Sequence, residues 1–420
     1  MKNNKTIAIS GAGIAGVATA YYLFKKQPNL KVILIDKNQP LSFTTSKSGE
    51  NFRDYWPQAV MQQYVSHSID LMEDLRQEYG ATAFNMVYSG YNFISHQDQA
   101  IFGVSEKGRF IKGMTEISSD EVLAKNYPYL DQGIKKIVRI TKAGHIDVYA
   151  MGSLLLREAR TNGLQQIQGE IVAVDKKAGK FQINLDYKQT ILADKVVIAT
   201  GPFINHIADM LGFQFPITNT LQRKFIIPDP LKIIPRDMPF TIYADGQYLD
   251  WSAEEKAFFA EEEKYQWLLA KFSGGLHIKP EGQGIKMGWA FQTKTVTPTW
   301  EYDKLALFPQ VVLKGASRFI PQLAAYEKNI PTPLIEYAGY YTRTKENWPL
   351  IGPTEMQDVF VVGALAGYGT MGACAAGELC TQYLCEDATL PNYAAYFHPD
   401  RYQNPAIRAE IAALKSDGQL

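Results

Sequence analysis

Six consecutive residues near the start of the chain, Gly11-Ala12-Gly13-Ile14-Ala15-Gly16, carry the clearest chemical signal. Glycines at this spacing cradle a pyrophosphate when they join a strand to a helix. Gly11 permits the tight turn, Gly13 lets the backbone approach the phosphates, and Gly16 lets helix and strand pack closely. A helix starting there aims free N–H groups and a positive dipole end at the anion. Asp36, twenty residues after Gly16, is placed to accept a hydrogen bond from a ribose hydroxyl. The elements that must hold these groups surround them. Residues 7–10 are a short apolar strand, a helical pattern follows with Ala20 and Leu23 on one face, and residues 32–35 are a second apolar strand. Together they make a βαβ unit for a dinucleotide, without choosing between FAD and NAD.

The chain has 420 residues, enough for two intertwined domains. Hydrophobic residues make up 46% and charged residues 20%, as in an ordinary globular protein. Lys+Arg and Asp+Glu both number 43, which argues against a nucleic-acid surface or a polybasic membrane patch. No apolar stretch is long enough to span a bilayer, and the glycines in residues 7–24 argue for a first strand and helix rather than a signal peptide. Cys374, Cys380 and Cys385 fit reduced thiols on one helix, and the six histidines are scattered without zinc spacing. These features predict a cytoplasmic protein without a structural metal.

Residues 44–57 read as a polar loop running off the nucleotide site, and 59–79 have helical spacing. Residues 84–112 alternate like antiparallel strands; 151–160 form a helix, and 170–174 with 181–185 a hairpin. Residues 195–201, KVVIATG, suit a central parallel strand whose carboxyl end faces a ligand. From 216 to 340 the chain is rich in Pro and aromatics and broken into short strands. Within it, 251–272 reads as an acidic amphipathic helix that covers the active site, packs on the sheet, or is a solvated insertion. From 359 a buried strand, a glycine-rich turn and a helix from about Met371 follow. The expected fold class is α/β, a Rossmann-like domain interwoven with an antiparallel β-rich (α+β) substrate domain. The expected boundaries are 1–88, 145–215 and 340–420 for the first, and 89–144 and 216–339 for the second.

Four blocks together, residues 7–36, 193–201 (ADKVVIATG), 337–353 (YAGYYTRTKENWPLIGP) and 362–377, resemble the D-amino-acid oxidase family of FAD-dependent oxidoreductases, which includes glycine oxidase and monomeric sarcosine oxidase. The resemblance spans the chain in order and implies FAD. A NAD enzyme would not require a second glycine-rich unit, whereas an isoalloxazine ring needs its own backbone donors. The turn containing Gly363, Gly367, Gly369, Thr370 and Met371 can supply them, with the dipole of the next helix behind it. By the same resemblance, Asp36 and Lys37 meet the adenosine ribose. Ser46, Lys47 and Ser48 approach the pyrophosphate and flavin, Ile171 meets the adenine, and Thr200 and Gly201 close on the ribityl and pyrophosphate region. Gly339 stands where sarcosine oxidases carry the flavin-linking cysteine, so the FAD is expected to be non-covalent.

Lys286, in GIKMGW, looks like the family lysine that promotes reaction with oxygen; as a strand lysine it is otherwise a surface residue. Tyr341 replaces the arginine that clamps the substrate carboxylate in glycine oxidase-like members, and Met371 replaces the substrate-binding lysine of sarcosine oxidases. Arg53 and Arg343 are candidate replacement cations, or partners in structural salt bridges, Arg343 with Glu346. Tyr55, Trp56, Tyr340, Tyr341, Trp348 and Tyr368 could wall a pocket for an amine, or pack in a core. The leading expectation is an FAD-dependent oxidoreductase taking a small-molecule amine or amino acid to an imine, with oxygen as acceptor. The alternatives are a dehydrogenase feeding a quinone or carrier, an alcohol oxidase, which would need a histidine base, and a non-catalytic FAD-binding assembly factor.

Overall fold

Strand Thr6–Ser10 lies inside a six-stranded sheet. The spatial order is Leu350–Pro353, Val359–Gly363, Lys195–Ile198, Thr6–Ser10, Lys31–Asp36 and Gln165–Gln168. Five strands run parallel and the edge strand Leu350–Pro353 is antiparallel. The inner strands are apolar on both faces because both faces are covered. Ile9, Leu34 and Val197 point into a core shared with the helices Ile14–Lys26, Ala59–Tyr79, Val148–Thr161 and Gly369–Leu384. Ala8, Ile33 and Val196 point the other way, under the three-stranded sheet Ile171–Lys177, Lys180–Leu185, Thr190–Ala193 and the helix Ile204–Met210. The computed structural model describes residues 5–98, 101, 113–118, 120–414 and 418.

The helices Ile14–Lys26 and Gly369–Leu384 meet in closest contact at Gly377. A Cβ there would lie 2.6 Å from the Ala18 carbonyl carbon, so only glycine fits. Asp147 caps the helix Val148–Thr161 by accepting from the Ala150 N–H at 2.7 Å, which starts it three residues before the expected Met151. The last long helix likewise begins at Gly369 rather than Met371.

A second sheet has eight strands, in the order Ile335–Arg343, Thr218–Pro228, Gly284–Trp289, Leu276–Glu281, Phe240–Tyr243, Tyr91–Ser95, Lys136–Ile140 and Met114–Ile117. Its pairings are antiparallel except that between Phe240–Tyr243 and Tyr91–Ser95. One face carries Phe225, Ile278 and Met287 into a core under the helix Phe308–Ser317. Strand Ile335–Arg343 straddles the expected domain boundary at 340.

Two expectations are corrected. The segment 251–272 is not one helix. Ser252 and Glu255 cap the helix Ala253–Glu261 reciprocally, the backbone turns extended at Glu262, and a tighter helical turn, Glu263–Leu269, follows. Trp251, Phe259 and Leu268 anchor it in the core of the second sheet, away from the nucleotide site. Within 84–112 the strand is Tyr91–Ser95; residues 81–85 are turns, residues 99–100 and 102–112 lie outside the described residues, and Val87 makes only an isolated bridge to His145. Among the described residues no helix is long and apolar enough to cross a membrane.

Glu346 pairs with Arg401 rather than Arg343, and both side chains of the pair are wholly buried. Arg401 Nη1 also donates to the Pro349 carbonyl at 2.8 Å, which ties the C-terminal segment to the turn before Leu350–Pro353. A Glu346→Ala variant strands that guanidinium and is expected to cost about 3–5 kcal/mol, read as a lowered denaturant midpoint. A loss below about 1 kcal/mol would mean the pair is screened like a surface one.

Candidate active site

The carboxyl ends of Thr6–Ser10, Lys31–Asp36 and Lys195–Ile198 open onto a cavity of about 800 Å³. Both helices that meet at Gly377 start at its wall, one through Gly13, Ile14 and Ala15, the other through Gly367, Gly369 and Thr370. Neither has a side-chain cap at its N-cap residue; apart from the Ile14 N–H, which donates to Thr45 Oγ1 at 3.1 Å, their N-terminal donors remain for an anion. Gly11 has φ of +101°, and a Cβ on it would fall 2.5 Å from the Ala199 carbonyl oxygen. At Gly16 a Cβ would overlap the Gly11 carbonyl, which is why helix and turn can close on each other.

Asp36 holds this turn in shape. Its Oδ2 accepts from the Ala12 N–H at 2.8 Å and its Oδ1 from the Asn38 N–H at 2.9 Å. Burial pushes the carboxyl above its ordinary value, and the two N–H donors oppose that. Lys37 pairs with Glu170 at 3.2 Å and stands 4.9 Å over the Trp300 ring. Thr44 and Thr200 on the cavity wall each bury a hydroxyl oxygen without a hydrogen-bond partner. Orphaned hydroxyls, uncapped helix starts and a glycine cradle together fit a bound dinucleotide with polar atoms along its length.

Most of the cofactor residues expected from sequence are brought together. Gly11, Gly13, Ile14, Ala15, Asp36, Lys37, Lys47, Ser48, Ile171, Thr200, Gly201, Gly363, Gly367, Gly369 and Thr370 line the one cavity. Ser48 and Thr370 join their hydroxyls, which links the loop after Lys47 to the last helix. Ala12 and Gly16 serve the turn from behind, Ser46 bonds the Ser42 and Phe43 carbonyls, and Met371 is buried in the core.

The substrate candidates divide. Tyr341 and Tyr340 line the cavity. Arg53 does not: it is 3% exposed, donates to the Tyr55 and Gly418 carbonyls, and stacks 4.8 Å from Trp56 and 5.1 Å from Phe93. Its structural role replaces the expected substrate contact, because backbone oxygens already take its donors. Arg343 is not among the wall residues; its guanidinium carbon stands 5.8 Å from the centre of the Tyr341 ring. Tyr55, Trp56, Trp348 and Tyr368 are corrected from pocket wall to core, each at most 5% exposed. Tyr368, for example, donates to the Asn347 carbonyl at 2.8 Å.

Lys286 is 6% exposed and sits off the wall. Its ammonium pairs with Glu281 at 3.1 Å and Glu50 at 3.4 Å. Burial works against its charge, but Tyr337, Glu281 and Glu50 outweigh that and hold it above the ordinary lysine value. Sequence reading missed two features of the wall. Lys224 faces the cavity from strand Thr218–Pro228. Periodicity does not single it out: residues 218–224, TNTLQRK, are polar at every position but Leu221. Trp300 stacks on Phe203 at 5.1 Å, lies 4.3 Å from Phe43, and lines the cavity together with Thr297 and Pro298. Tyr340 Oη holds this loop by accepting from the Thr299 N–H at 2.8 Å. No pattern in the sequence announces that contact.

Comparison with known proteins agrees with this geometry. A family model described as FAD dependent oxidoreductase (DAO) matches residues 6–383. An uncharacterized oxidoreductase, YurR of Bacillus subtilis, is 24% identical over 51% of this chain and 59% of its own length. The matches span between 42% and 59% of the length of the curated relatives found. Among solved structures, L-proline dehydrogenase of P. horikoshii superposes with a TM-score of 0.75 at 20% identity, over 96% of this chain and 99% of that one. Glycine oxidase of Geobacillus kaustophilus gives 0.73 at 14% identity, over 94% and 99%.

The charge cluster beneath the wall sets a response to pH. Burial, with the nearby Lys286 charge, lowers both Lys224 and Lys279 to about 8. Their unfolded values lie near 10.5, so between these limits the unfolded chain binds more protons and stability rises with pH. The unfolding free energy is expected to gain on the order of 1 kcal/mol between about pH 8 and 9.5, with a smaller gain in Lys279→Met. A curve that falls across that window would contradict this charge arrangement.

Proposed function

The chain belongs to the DAO family of FAD-dependent oxidoreductases, and from that premise we propose that it oxidises the C–N bond of a small amine or amino acid to an imine. Bound FAD supplies the hydride acceptor. The observation that carries the reading is the position of Tyr341: it shares one cavity wall with Gly339, Ser48 and Thr370, beside the glycine turn that precedes the last long helix. An amine held against that phenol would sit next to the part of the cavity that fits a ring system. The protein's own work is then positioning and exclusion of water. Tyr341 and the neighbouring Tyr340 form an aromatic wall, the loop through Trp300 adds to it, and the two helix N-termini hold negative charge. Gly339 offers no nucleophile to the cofactor, which supports non-covalent FAD, and three free cysteines support a reducing compartment, the cytoplasm.

Oxygen is the proposed acceptor, with Lys286 as the cation that favours its first reduction. A second reading, transfer to a quinone or carrier protein, is favoured by one observation: Glu50 and Glu281 both pair with Lys286 and weaken its field. The test is a panel of N-methylated and D-amino acids. Anaerobic bleaching of the bound flavin establishes the amine reaction, and peroxide formed on admitting air separates the two acceptors. In the oxidase reading, Lys286→Met keeps flavin reduction but slows reoxidation by air by about 10²-fold. Unchanged reoxidation removes Lys286 from the oxygen site, and a flavin that no amine bleaches defeats the reading as a whole.

A further inference from the structure

Lys224 is a buried cation on the cavity wall that the proposed chemistry has not used. It is 9% exposed, and its stem runs over Gly288, where a Cβ would lie 2.8 Å from Lys224 Cγ. Its Cε passes 3.7 Å from the position a Cβ would take on Gly49, and its Nζ stands 5.8 Å from the centre of the Tyr341 ring. Three other cations of this region are already paired. Lys286 pairs with Glu281 and Glu50, Lys279 with Glu281, and Lys37 with Glu170. Lys47, also on the wall, is only half-buried and lies on the turn beside Ser48. Among the described residues, no ion pair or hydrogen bond reaches the Lys224 ammonium group.

A buried ammonium without a counter-charge costs several kcal/mol. Here the charge of Lys286 adds repulsion. Both carboxylates of the cluster are committed elsewhere, Glu50 to Lys286 and Glu281 to Lys286 and Lys279, so neither forms an ion pair with Lys224. What is left is a stretch of wall where the unpaired Lys224 ammonium stands beside the Tyr341 ring, with Lys47, near Gly339, as the other wall cation on that side. We propose that Lys224 is the specificity-determining residue that binds the anionic group of the substrate, a carboxylate carried by the amine, against the face of Tyr341. This rests on the amine-oxidoreductase reading above. It moves the anion anchor from the arginine positions, where Arg53 is committed to backbone carbonyls, to the middle of strand Thr218–Pro228. An amine lacking a carboxylate leaves the ammonium stranded and binds more weakly.

The test uses the purified flavoprotein and its Lys224→Met and Lys224→Arg variants, each first checked for retained FAD. Acetate is titrated into the oxidised protein and followed by perturbation of the flavin absorbance. The expected result is acetate binding weakened roughly tenfold or more in Lys224→Met, about 1.4 kcal/mol, and largely recovered in Lys224→Arg. With any carboxylated amine found to reduce the flavin, Lys224→Met raises KM more than it lowers kcat. The decarboxylated counterpart of that amine is expected to show no comparable penalty. Wild-type acetate affinity in Lys224→Met overturns the proposal, as does unchanged acetate affinity with a shifted flavin reduction potential, which places the cation at the cofactor instead. The acetate titration needs no turnover. If no amine reduces the flavin but acetate binding still depends on Lys224, the amine reading fails while the anion site stands.

Discussion

Gly377 has no side chain, and the backbone of Ala18 occupies the space where one would be. That contact draws together two helices more than 340 residues apart in sequence, Ile14–Lys26 and Gly369–Leu384. Once they touch, both N-termini face one cavity, and two separate glycine turns become one cradle. Each helix start alone offers a few N–H donors and a partial positive charge. Together they can serve both ends of a long, anionic cofactor. The sheet between them orders the rest, because its strand ends deliver Asp36 and Thr200 to the same opening.

The second sheet supplies a different physics. One face is apolar and closes its own core; the other turns lysines toward the nucleotide half of the molecule. Register places Lys279 opposite Lys286, and Lys224 two residues away across the neighbouring strand. Three ammonium groups this close would repel strongly without the carboxylates of Glu50 and Glu281. The pairing is uneven: two lysines are neutralised, and the third is left facing the cavity. That asymmetry places a positive charge beside Tyr341, and it follows from Glu50 reaching Lys286 and not Lys224.

The parts of this site legible in sequence are those made by neighbours in the chain. The Gly11–Gly16 turn, its strand and its acid lie within thirty residues, and backbone geometry demands their types. The second glycine unit was legible for the same reason. Side chains whose partners lie far along the chain were not. Arg53 has the type of a substrate cation, yet one of its acceptors is Gly418, 365 residues on. Proximity in sequence offers Glu346 to Arg343, while burial gives it to Arg401, 55 residues on. Trp348 and Tyr55 are aromatic whether they line a pocket or fill a core, and residue type alone cannot separate the two. The acidic stretch 251–272 had the composition of a helix, but its buried aromatics bind it to the second core in two pieces.

The central claim is that the contact of first and last helix creates the FAD site. The most direct measurement is the FAD affinity of Gly377→Ile, taken beside its far-ultraviolet circular dichroism. The side chain would force the helices apart while leaving each turn's own sequence intact. The expected result is a folded protein whose FAD affinity falls roughly tenfold or more, a loss of about 1.4 kcal/mol or greater. A folded variant that holds FAD as tightly as the original chain would contradict the claim, since each glycine turn would then bind its part of the cofactor without the other.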